Sequence, residues 1–339
     1  MIVKPLVSIL VPAYNAERWI GEAVRSALEQ TWERKEIIVV NDGSTDGTVE
    51  ALRPFEAKGV CVVTQKNQGA AAARNKAFSV CNGDYVQWLD ADDSMSPVKI
   101  ESQLDAANKL GNKRILLSGA WGRFMYRRTN ARFSPTALWA DLTPAEWLIR
   151  KLSQNLFMQT ATWLVSREMT EAAGPWDTQL LGDDDGEYFC RVLLQSQGVH
   201  FVPNAKVYYR DSGTSSLSYI GYSERKMIAQ LRSMKLHAGY MRSLADDDRA
   251  HAALSTYFQN WSIFFYPERL DLFQEIAEMS REVGGTLKPP SLSWKYLWIK
   301  ALFGWNAAKR AQILLPRIRW STVRSYDRFM ARIERRRPL

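Results

Sequence analysis

The 339-residue sequence contains few of the residues from which disulfide frameworks and zinc sites are built. It has three cysteines, Cys61, Cys81 and Cys190, and its three histidines lie apart from one another and from other candidate ligands. An odd, unclustered set of cysteines argues against both kinds of site and favours a reducing compartment. We therefore expect a cytoplasmic protein without structural zinc or a disulfide framework.

The sequence also lacks long apolar runs and glycine-rich phosphate loops. No run of about 18 apolar residues occurs, so we expect no transmembrane helix, and the early interruption at Pro5 is not typical of a signal peptide. Neither G-x-G-x-x-G after the first predicted strand nor G-x-x-x-x-G-K-[ST] is present. The phosphates of a bound nucleotide would therefore need a cation, an arginine or a helix N-terminus.

Acidic residues are scarce at the C-terminal end of the chain. Residues 286–339 contain thirteen Lys and Arg but two acids, a net charge of +11 in a chain whose total is +9. Tryptophans are interleaved with these charges, and such basic helices are typical of proteins that lie on an anionic membrane surface. The alternatives are a solvated face whose aromatic residues pack on the fold, and nucleic acid, which we regard as the least favoured partner.

Apolar strand-like segments and amphipathic helical segments alternate over the first part of the chain. The predicted strands are 6–12, 36–40, 60–64, 85–89 and 114–118, with helices between them. This alternation predicts an α/β fold with a doubly wound, mostly parallel sheet. Polar turns follow the strands at Asn15, Asp42, Asn67 and Asp90. Because ligands bind at the strand ends of such sheets, we expect these turns to line one crevice.

Three carboxylates follow the fourth predicted strand, at Asp90, Asp92 and Asp93. Like charges at the end of a buried strand are costly unless a positive group lies among them. An Asp-x-Asp pair in this place is suited to a hard divalent cation, which prefers oxygen ligands. The alternative is that Asp92 and Asp93 cap the helix predicted to start near Pro97, or lie in a solvated turn.

A second acidic cluster extends from Asp183 to Glu187. Acids are favourable at a helix N-terminus, and Glu187 with Arg191 makes a favourable i,i+4 pair, so a structural role accounts for the cluster. The functional alternative is that one of its carboxylates faces the crevice as a general base. The spacing alone does not select which carboxylate that would be.

The regular alternation stops after Ser118. We predict irregular structure for 121–139, strands for 160–165 and 201–209, and a polar loop for 208–216. Helices are predicted for 143–152, 222–244, 249–265 and 269–282. The chain therefore ends in a helical region that carries the basic aromatic tail.

Four of these blocks, taken together, resemble the family 2 glycosyltransferases of the GT-A fold. The blocks are Val7 to Asn15, Glu36 to Asp46, Asn67 to Asn75 and Gly83 to Asp93, and they occur in the family's order and at its spacing. Asp184-Asp185-Gly186-Glu187-Tyr188 with Arg191 is similar to the family's acceptor-side motif. The resemblance implies a nucleotide-sugar-binding half at 1–120 and an acceptor-binding half at 121–220. The helical region at 221–339 lies beyond it.

The family resemblance implies an inverting transfer of a sugar from a nucleoside-diphosphate sugar, with a UDP-sugar favoured, to an acceptor hydroxyl. The residues that it assigns to the donor are Pro12, Ala13, Tyr14, Asn15, Asp42, Gly69, Arg74, Asp90 and Ala91. Within this set Tyr14 would lie near the base, Asp42 would bond the edge of the base, and Arg74 would lie near the base or the diphosphate.

The same resemblance implies a metal site and a catalytic base. Asp92 would be the main ligand of Mn²⁺ or Mg²⁺, with Asp90 toward the ribose or the metal. By the register of the motif Asp185 would be the base. The residues placed on the acceptor side are Asp184, Glu187 and Arg191.

The sequence departs from the family pattern in two places. Arg210 is followed by Asp211-Ser212-Gly213, where the family often has a histidine. The Gln-x-x-Arg-Trp motif of processive synthases is missing, so we expect transfer of single sugars to a glycan or a lipid-linked acceptor, with specificity in the 121–139 and 209–216 loops. The alternatives are a nucleotidyltransferase and a non-catalytic nucleotide-sugar-binding or membrane-scaffold protein. We expect peripheral association with the inner face of the membrane.

Overall fold

The computed structural model describes residues 4–212 and 223–336. Its strands are β1 (Val7–Ala13), β2 (Lys35–Asn41), β3 (Cys61–Thr64), β4 (Tyr85–Trp88), β5 (Ser94–Met95), β6 (Ile115–Phe124), β7 (Arg132–Phe133), β8 (Val165–Ser166) and β9 (Gly198–Arg210). Its helices are α1 (Ile20–Leu28), α2 (Thr48–Glu56), α3 (Ala70–Ser79), α4 (Lys99–Leu110), α5 (Pro144–Ser153), α6 (Arg167–Ala173), α7 (Asp184–Gln195), α8 (Glu224–Leu244), α9 (Asp248–Trp261), α10 (Leu270–Glu282) and α11 (Leu297–Arg336). The predicted loop from residue 213 onward and the predicted helix start at Tyr222 lie outside the described residues.

The first sheet has the strand order β3-β2-β1-β4-β8, and β1 to β4 run parallel. Alternate residues of β1 enter two cores, since Leu10 packs with the alanines of α3 whereas Ile9 and Val11 pack with α1. A strand covered on both faces is apolar throughout, which explains the continuous apolar runs in the sequence. The predicted mostly parallel α/β fold is confirmed. The parallel order places the ends of β1, β2 and β4 side by side.

The second sheet has the order β5-β9-β6-β7 and is built around the parallel pair β6 and β9. The short strand β5 follows the acidic turn directly, and its Ser94 pairs with Tyr208 of β9. This pairing brings the end of β9 back to the Asp90–Asp93 turn. The second sheet therefore meets the first sheet at the predicted crevice.

Two predictions about the second half are wrong. Residues 121–124 are not irregular, because β6 continues through them in register with β9. The segment 160–165 is not a strand: Thr160–Thr162 form a 3₁₀ helix, and β8 begins at Val165. The carbonyl groups of residues 161 and 162 accept hydrogen bonds from side chains and not from a neighbouring strand. Gln87 donates to the Ala161 oxygen and Gln103 to the Thr162 oxygen, at 2.8 Å each.

The C-terminal helices extend the core of the second half. Buried residues of α8, α9 and α10, such as Met234, Phe258 and Ile276, share one apolar cluster with Leu148 of α5. The last helix, α11, is kinked at Gly304, where φ is +83°. Within residues 4–212 and 223–336, no helix combines the length and the apolar composition that crossing a bilayer requires.

Candidate active site

Asp42 lies just beyond the end of β2 and organises the loop that leads into α3. Its Oδ1 accepts hydrogen bonds from Gln65 Nε2 at 2.8 Å and from the Gln68 backbone N–H at 3.0 Å. Its Oδ2 accepts one from the Gly69 N–H at 2.8 Å. Gly69 has φ +92°, a conformation that favours glycine, and directly precedes α3. Asp42 therefore fixes the turn at the N-terminus of α3.

The end of β1 forms a wall beside Asp42. The Asp42 N–H donates to the Ala13 carbonyl at 2.8 Å, so these two predicted donor residues are adjacent. Asn15, with φ +48°, accepts a 2.8 Å bond from the Thr45 N–H and keeps this turn rigid. The preceding Tyr14 is 52% exposed, and its ring is free to stack on a flat ligand. Pro12, two residues before Tyr14, is partly buried.

Arg74 joins the two acidic clusters. Its Nη2 lies 2.8 Å from Asp90 Oδ1, and its Nη1 lies 2.8 Å from Asp184 Oδ2. The guanidinium also stacks 4.4 Å from the ring centroid of Trp176 and is 6% exposed. Burial alone would lower the pKa of Arg74, but Asp90 and Asp184 raise it above its usual value. The arginine therefore stays charged and holds together two carboxylates that are far apart in the sequence.

Asp92 and Asp93 have different environments. Asp93 is buried and accepts hydrogen bonds from Gln159 Nε2 at 2.5 Å and from the Arg210 N–H at 2.7 Å. Asp92 is partly buried, and this burial, together with the charge of Asp90, raises its pKa to about 6. Neither residue caps α4, whose N-cap is Val98 without a side-chain bond. The capping alternative is therefore wrong, and Asp92 lies close to the negative charge of Asp90.

Arg210, the last residue of β9, connects the acidic turn to α1. Its Nε donates to the Asp92 carbonyl at 2.8 Å, and its Nη2 contacts Glu22 Oε2 at 2.7 Å. The guanidinium lies between the rings of Trp19 and Phe124, at 4.0 and 4.4 Å from their centroids. Sequence reasoning misses Arg210 and the buried role of Asp93. The sequence signal for Arg210 is its position at the end of an aromatic strand, in a chain whose aspartate cluster needs a positive partner.

The second acidic cluster opens α7 and brings Asp185 to the same crevice. Thr160 Oγ1 donates to Asp185 Oδ2 at 3.3 Å, and the Gly186 N–H donates to Oδ1 at 2.8 Å. Burial, followed by the charges of Asp184 and Asp183, raises the pKa of Asp185 to about 7. Arg74 and Asp90 are also close enough to influence this pKa. A carboxyl group with such a pKa is matched to accepting a proton near neutral pH.

Glu187 and Arg191 form the i,i+4 pair that the sequence predicts. Arg191 Nε lies 2.7 Å from Glu187 Oε1, and its Nη1 donates to the Ala173 carbonyl. Tyr240 donates a 2.5 Å bond to Glu187 from α8, and Glu187 is buried. These contacts fasten α7 to its neighbours, and the predicted place of this pair on the acceptor side stays a prediction.

The chemistry of the crevice is compatible with a divalent cation. Among the described residues there is no group of three or more His, Cys, Asp and Glu side chains arranged to hold a metal ion. Asp90 and Asp92, however, offer carboxylate oxygens, and burial followed by the charge of Asp90 raises the pKa of Asp92. Such a pair fits a hard cation that takes its remaining ligands from water and from a bound diphosphate. Ala91, between them, is partly buried.

A cavity of about 1000 Å³ lies on the second-half side of the acidic turn. One wall comes from β6 and the residues after it, including Trp121, Phe124 and Met125, and the other from the tail, including Tyr296 and Val323. Four positive side chains also line it, Arg123, Arg127, Arg132 and Lys295, as does Asp327, which is paired with Arg127. The cavity is therefore largely apolar with basic groups around it, and Asp211, the residue after Arg210, also lines it.

The fold corresponds to that of solved GT-A glycosyltransferases. TarS of S. aureus, in a crystal structure with UDP-GlcNAc, superposes with a TM-score of 0.65 at 17% identity, covering 82% of this chain and 81% of that one. The mannosyltransferase PcManGT of Pyrobaculum calidifontis, in complex with GDP-Man and Mn²⁺, gives a TM-score of 0.51 at 18% identity, covering 96% of this chain and 85% of that one. At these identities the likeness establishes the fold.

Sequence relatives agree with the family that the motifs predict. Residues 8–171, just under half of the chain, match the glycosyl transferase family 2 model. An uncharacterized glycosyltransferase of Rickettsia typhi is 42% identical over 114 residues, which are 34% of this chain and 36% of that protein. A putative teichuronic acid biosynthesis glycosyltransferase of Bacillus subtilis is 44% identical over 105 residues, 30% of this chain and 42% of that protein. The chain thus spans well under half the length of these relatives.

Proposed function

We propose that this protein transfers a single sugar, with inversion, from a nucleoside-diphosphate sugar to an acceptor hydroxyl during the synthesis of a cell-envelope glycan or glycolipid. The observation that carries the proposal is the bridge made by Arg74, which contacts Asp90 and Asp184 at 2.8 Å each. This bridge joins the Asp-x-Asp turn to the start of α7, which supports one site for both the leaving diphosphate and the attacking alcohol of a single displacement.

The donor nucleotide is assigned to the turns at the ends of β1 and β2. Tyr14 offers an exposed ring to the base, and Asp42, beside it, has acceptor capacity left for the base edge. Asp90 and Asp92 are the residues that would hold Mn²⁺ or Mg²⁺. The chemistry that such a cation supplies is Lewis-acid stabilisation of the diphosphate leaving group. A UDP-sugar is favoured because TarS, which has the same fold, was solved with UDP-GlcNAc.

Asp185 is proposed as the general base that removes the proton from the acceptor hydroxyl as its oxygen attacks the anomeric carbon. Its pKa of about 7 supports proton transfer near neutral pH. The hydrogen bonds from Thr160 and the Gly186 N–H hold the carboxylate in one orientation. Because one displacement occurs on the face opposite the leaving group, the anomeric configuration inverts.

The decisive experiment is a donor screen with defined variants. UDP-, GDP- and dTDP-sugars are offered with Mn²⁺ or Mg²⁺, and release of the nucleoside diphosphate is measured. Asp185→Asn should lower turnover by about 10²–10⁴-fold while donor binding persists, whereas Asp92→Asn should abolish metal-dependent donor binding. Asp105→Asn, at an exposed position of α4, is the matched control.

The outcomes of this screen separate the candidate functions. Release of pyrophosphate would indicate a nucleotidyltransferase. Binding without turnover for every donor would favour a non-catalytic nucleotide-sugar-binding protein, and neither binding nor turnover would leave a scaffold. The anomeric configuration of the product, read by NMR, tests inversion.

The acceptor is proposed to be a lipid-linked glycan. The support is the cavity of about 1000 Å³ beside the acidic turn, whose lining is largely apolar and includes four basic side chains. Such a lining suits a carrier with an apolar chain and a diphosphate. The test compares one glycan in two forms, free and attached to an alkyl diphosphate. A KM that is lower by tenfold or more for the alkyl form supports the proposal, and equal KM values contradict it.

A further inference from the structure

Exposed large apolar side chains are concentrated in the last part of the chain. Seventeen such side chains are found among the described residues, and ten of them lie between Trp294 and Phe329. Scattered single apolar residues are normal on a protein surface, but a contiguous group marks an interaction surface. The C-terminal segment therefore differs in kind from the rest of the molecular surface.

The densest group begins at the 3₁₀ turn Trp294–Tyr296 and continues into the first turns of α11. Trp294 is 76% exposed, Trp298 is 60% exposed and Leu302 is 70% exposed. These three residues are four apart, so their side chains follow one side of the helical segment. Leu297 and Phe303 are also exposed. We call residues 294–303 the docking segment.

The rest of α11 is fastened to the fold, which leaves the docking segment facing outward. Lys309 is buried and donates to the Tyr266 carbonyl at 2.7 Å and to Glu268 at 2.5 Å. The ring of Trp305 packs on Tyr266 with centroids 5.1 Å apart. The kink at Gly304, with φ +83°, separates this anchored part from the docking segment. The exposed group is thus held by a fixed support and is not a frayed end.

The charge around the docking segment is almost entirely positive. Residues 286–339 contain two acids, Asp327 and Glu334, against thirteen basic residues. Both acids contact the same side chain, since Arg127 lies 2.6 Å from Asp327 Oδ1 and 2.9 Å from Glu334 Oε1. Within the docking segment the charged residues are Lys295 and Lys300, both exposed. An incoming surface therefore meets tryptophan, leucine and ammonium groups with no acid among them.

From these observations we infer that residues 294–303 dock on the surface of an anionic lipid bilayer. Tryptophan and lysine suit the headgroup region, where the ring is half in hydrocarbon and the ammonium reaches the phosphates. Each basic residue near an anionic leaflet is attracted to it. Nucleic acid is less suited, because Leu297, Leu302 and Phe303 offer nothing to a phosphate backbone. A second copy of the chain is less suited to this surface, because residues 1–285 have a net charge of only −2.

The docking segment adjoins the large cavity. Lys295 and Tyr296 belong to the docking segment and also line the cavity beside the acidic turn. A docked molecule would therefore hold the cavity at the bilayer surface. Membrane binding itself does not rest on the proposed glycosyl transfer, so the two are tested separately.

The test is co-sedimentation of the full-length protein with vesicles of phosphatidylcholine alone or with about 30% phosphatidylglycerol. The double variant Trp298→Ser, Leu302→Ser removes two exposed apolar groups, and Lys295→Gln, Lys300→Gln removes the two charges. The matched control is Ile228→Ser, Leu270→Ser, which changes side chains that are 50% and 51% exposed elsewhere. Thermal unfolding and circular dichroism without lipid show whether each variant is folded.

We expect the wild type and the control to bind the anionic vesicles. The apolar double variant should bind at least tenfold more weakly, and the lysine variant should lose several-fold in affinity, with the effect disappearing at high salt. Vesicle binding that is unchanged in the apolar variant overturns the proposal. A dimer that the apolar variant abolishes would assign the docking segment to self-association and also overturns the proposal. Binding of DNA or RNA without binding of vesicles overturns it as well.

Discussion

Ser233 of α8 donates a 2.5 Å hydrogen bond to Oδ2 of Asp183, the residue that precedes α7. Asp183 has φ +56°, in the left-handed region, and a Cβ atom at Gly186 would lie 2.0 Å from its Oδ1. The Asp183 carboxylate therefore packs against Gly186 and is fixed there by Ser233 of α8. Because Asp184 and Asp185 follow directly, we expect this contact from the helical region to help orient Asp185, the proposed base.

The first prediction concerns this hydrogen bond. Ser233→Ala should destabilise the protein by about 1–3 kcal/mol, since the partly buried Asp183 carboxylate loses a donor. It should also lower kcat while leaving the KM for the donor near its original value, because Asp42 and Tyr14 are untouched. Steady-state kinetics and thermal unfolding measure both effects. Ser243→Ala, at an exposed position of the same helix, is the control. A stability loss with unchanged kcat would mean that Ser233 serves the fold alone.

The second prediction concerns the bridge made by Arg74. Arg74→Met removes the cation between two carboxylates, and breaking a buried ion pair from one side costs about 3–5 kcal/mol. Arg74→Lys should recover part of that stability, although a single ammonium cannot hold both carboxylates as a planar fork does. Thermal unfolding with and without Mn²⁺ measures this, and the cation should stabilise Arg74→Met more than the wild type.

The control for Arg74 is Lys76→Met, which removes an exposed cation from the same helix. It should leave the unfolding temperature and the donor turnover nearly unchanged. If Arg74→Met unfolds at the wild-type temperature, the carboxylates of the two clusters do not depend on the arginine. In that case the contacts of Arg74 with Asp90 and Asp184 would not stabilise the arrangement on which the proposed function rests.

The features predictable from the sequence are those that depend on neighbouring residues. The alternation of apolar strands and helices predicts the first sheet, and the polar turns at Asp42 and Asp90 predict where its crevice lies. The alternation cannot reveal that 115–124 pairs with 198–210, because nothing local specifies that partner. The split into two sheets therefore appears only in the structure.

Side chains that act on distant backbone groups explain the remaining errors. Thr160 to Val165 has the composition of a strand, but Gln87 and Gln103 take the carbonyl groups that a strand would use. Arg210 reads as a loop arginine, yet it holds the Asp92 carbonyl and is stacked between two rings. Both cases depend on contacts that local composition and periodicity do not encode.

The third prediction concerns the pH dependence of turnover. Burial and then the charge of Asp184 raise the pKa of Asp185, and a base must be deprotonated to act, so turnover falls as the pH drops through that pKa. Asp184→Asn removes the neighbouring charge and frees Arg74, and both changes favour the ionised form of Asp185. The acidic limb of the pH profile should therefore move to lower pH, even though the maximal rate falls. A limb that stays in place or moves to higher pH would assign it to another group.

The fourth prediction concerns Lys99, which is completely buried at the start of α4. Its Nζ donates to the Gln87 side chain and to the Trp163 carbonyl at 3.3 Å, and burial holds its pKa well below the usual value. Between that lowered pKa and about 10.5 the unfolded chain carries a proton that the folded protein does not, so this lysine makes stability rise with pH.

Lys99→Met should remove this contribution, whereas Lys109→Met, at an exposed site of the same helix, should retain it. Urea unfolding from pH 7 to 10 checks the slope: the free energy of unfolding of Lys99→Met should fall relative to the wild type as pH increases. A constant difference across that range would mean that Lys99 keeps its proton in the folded protein.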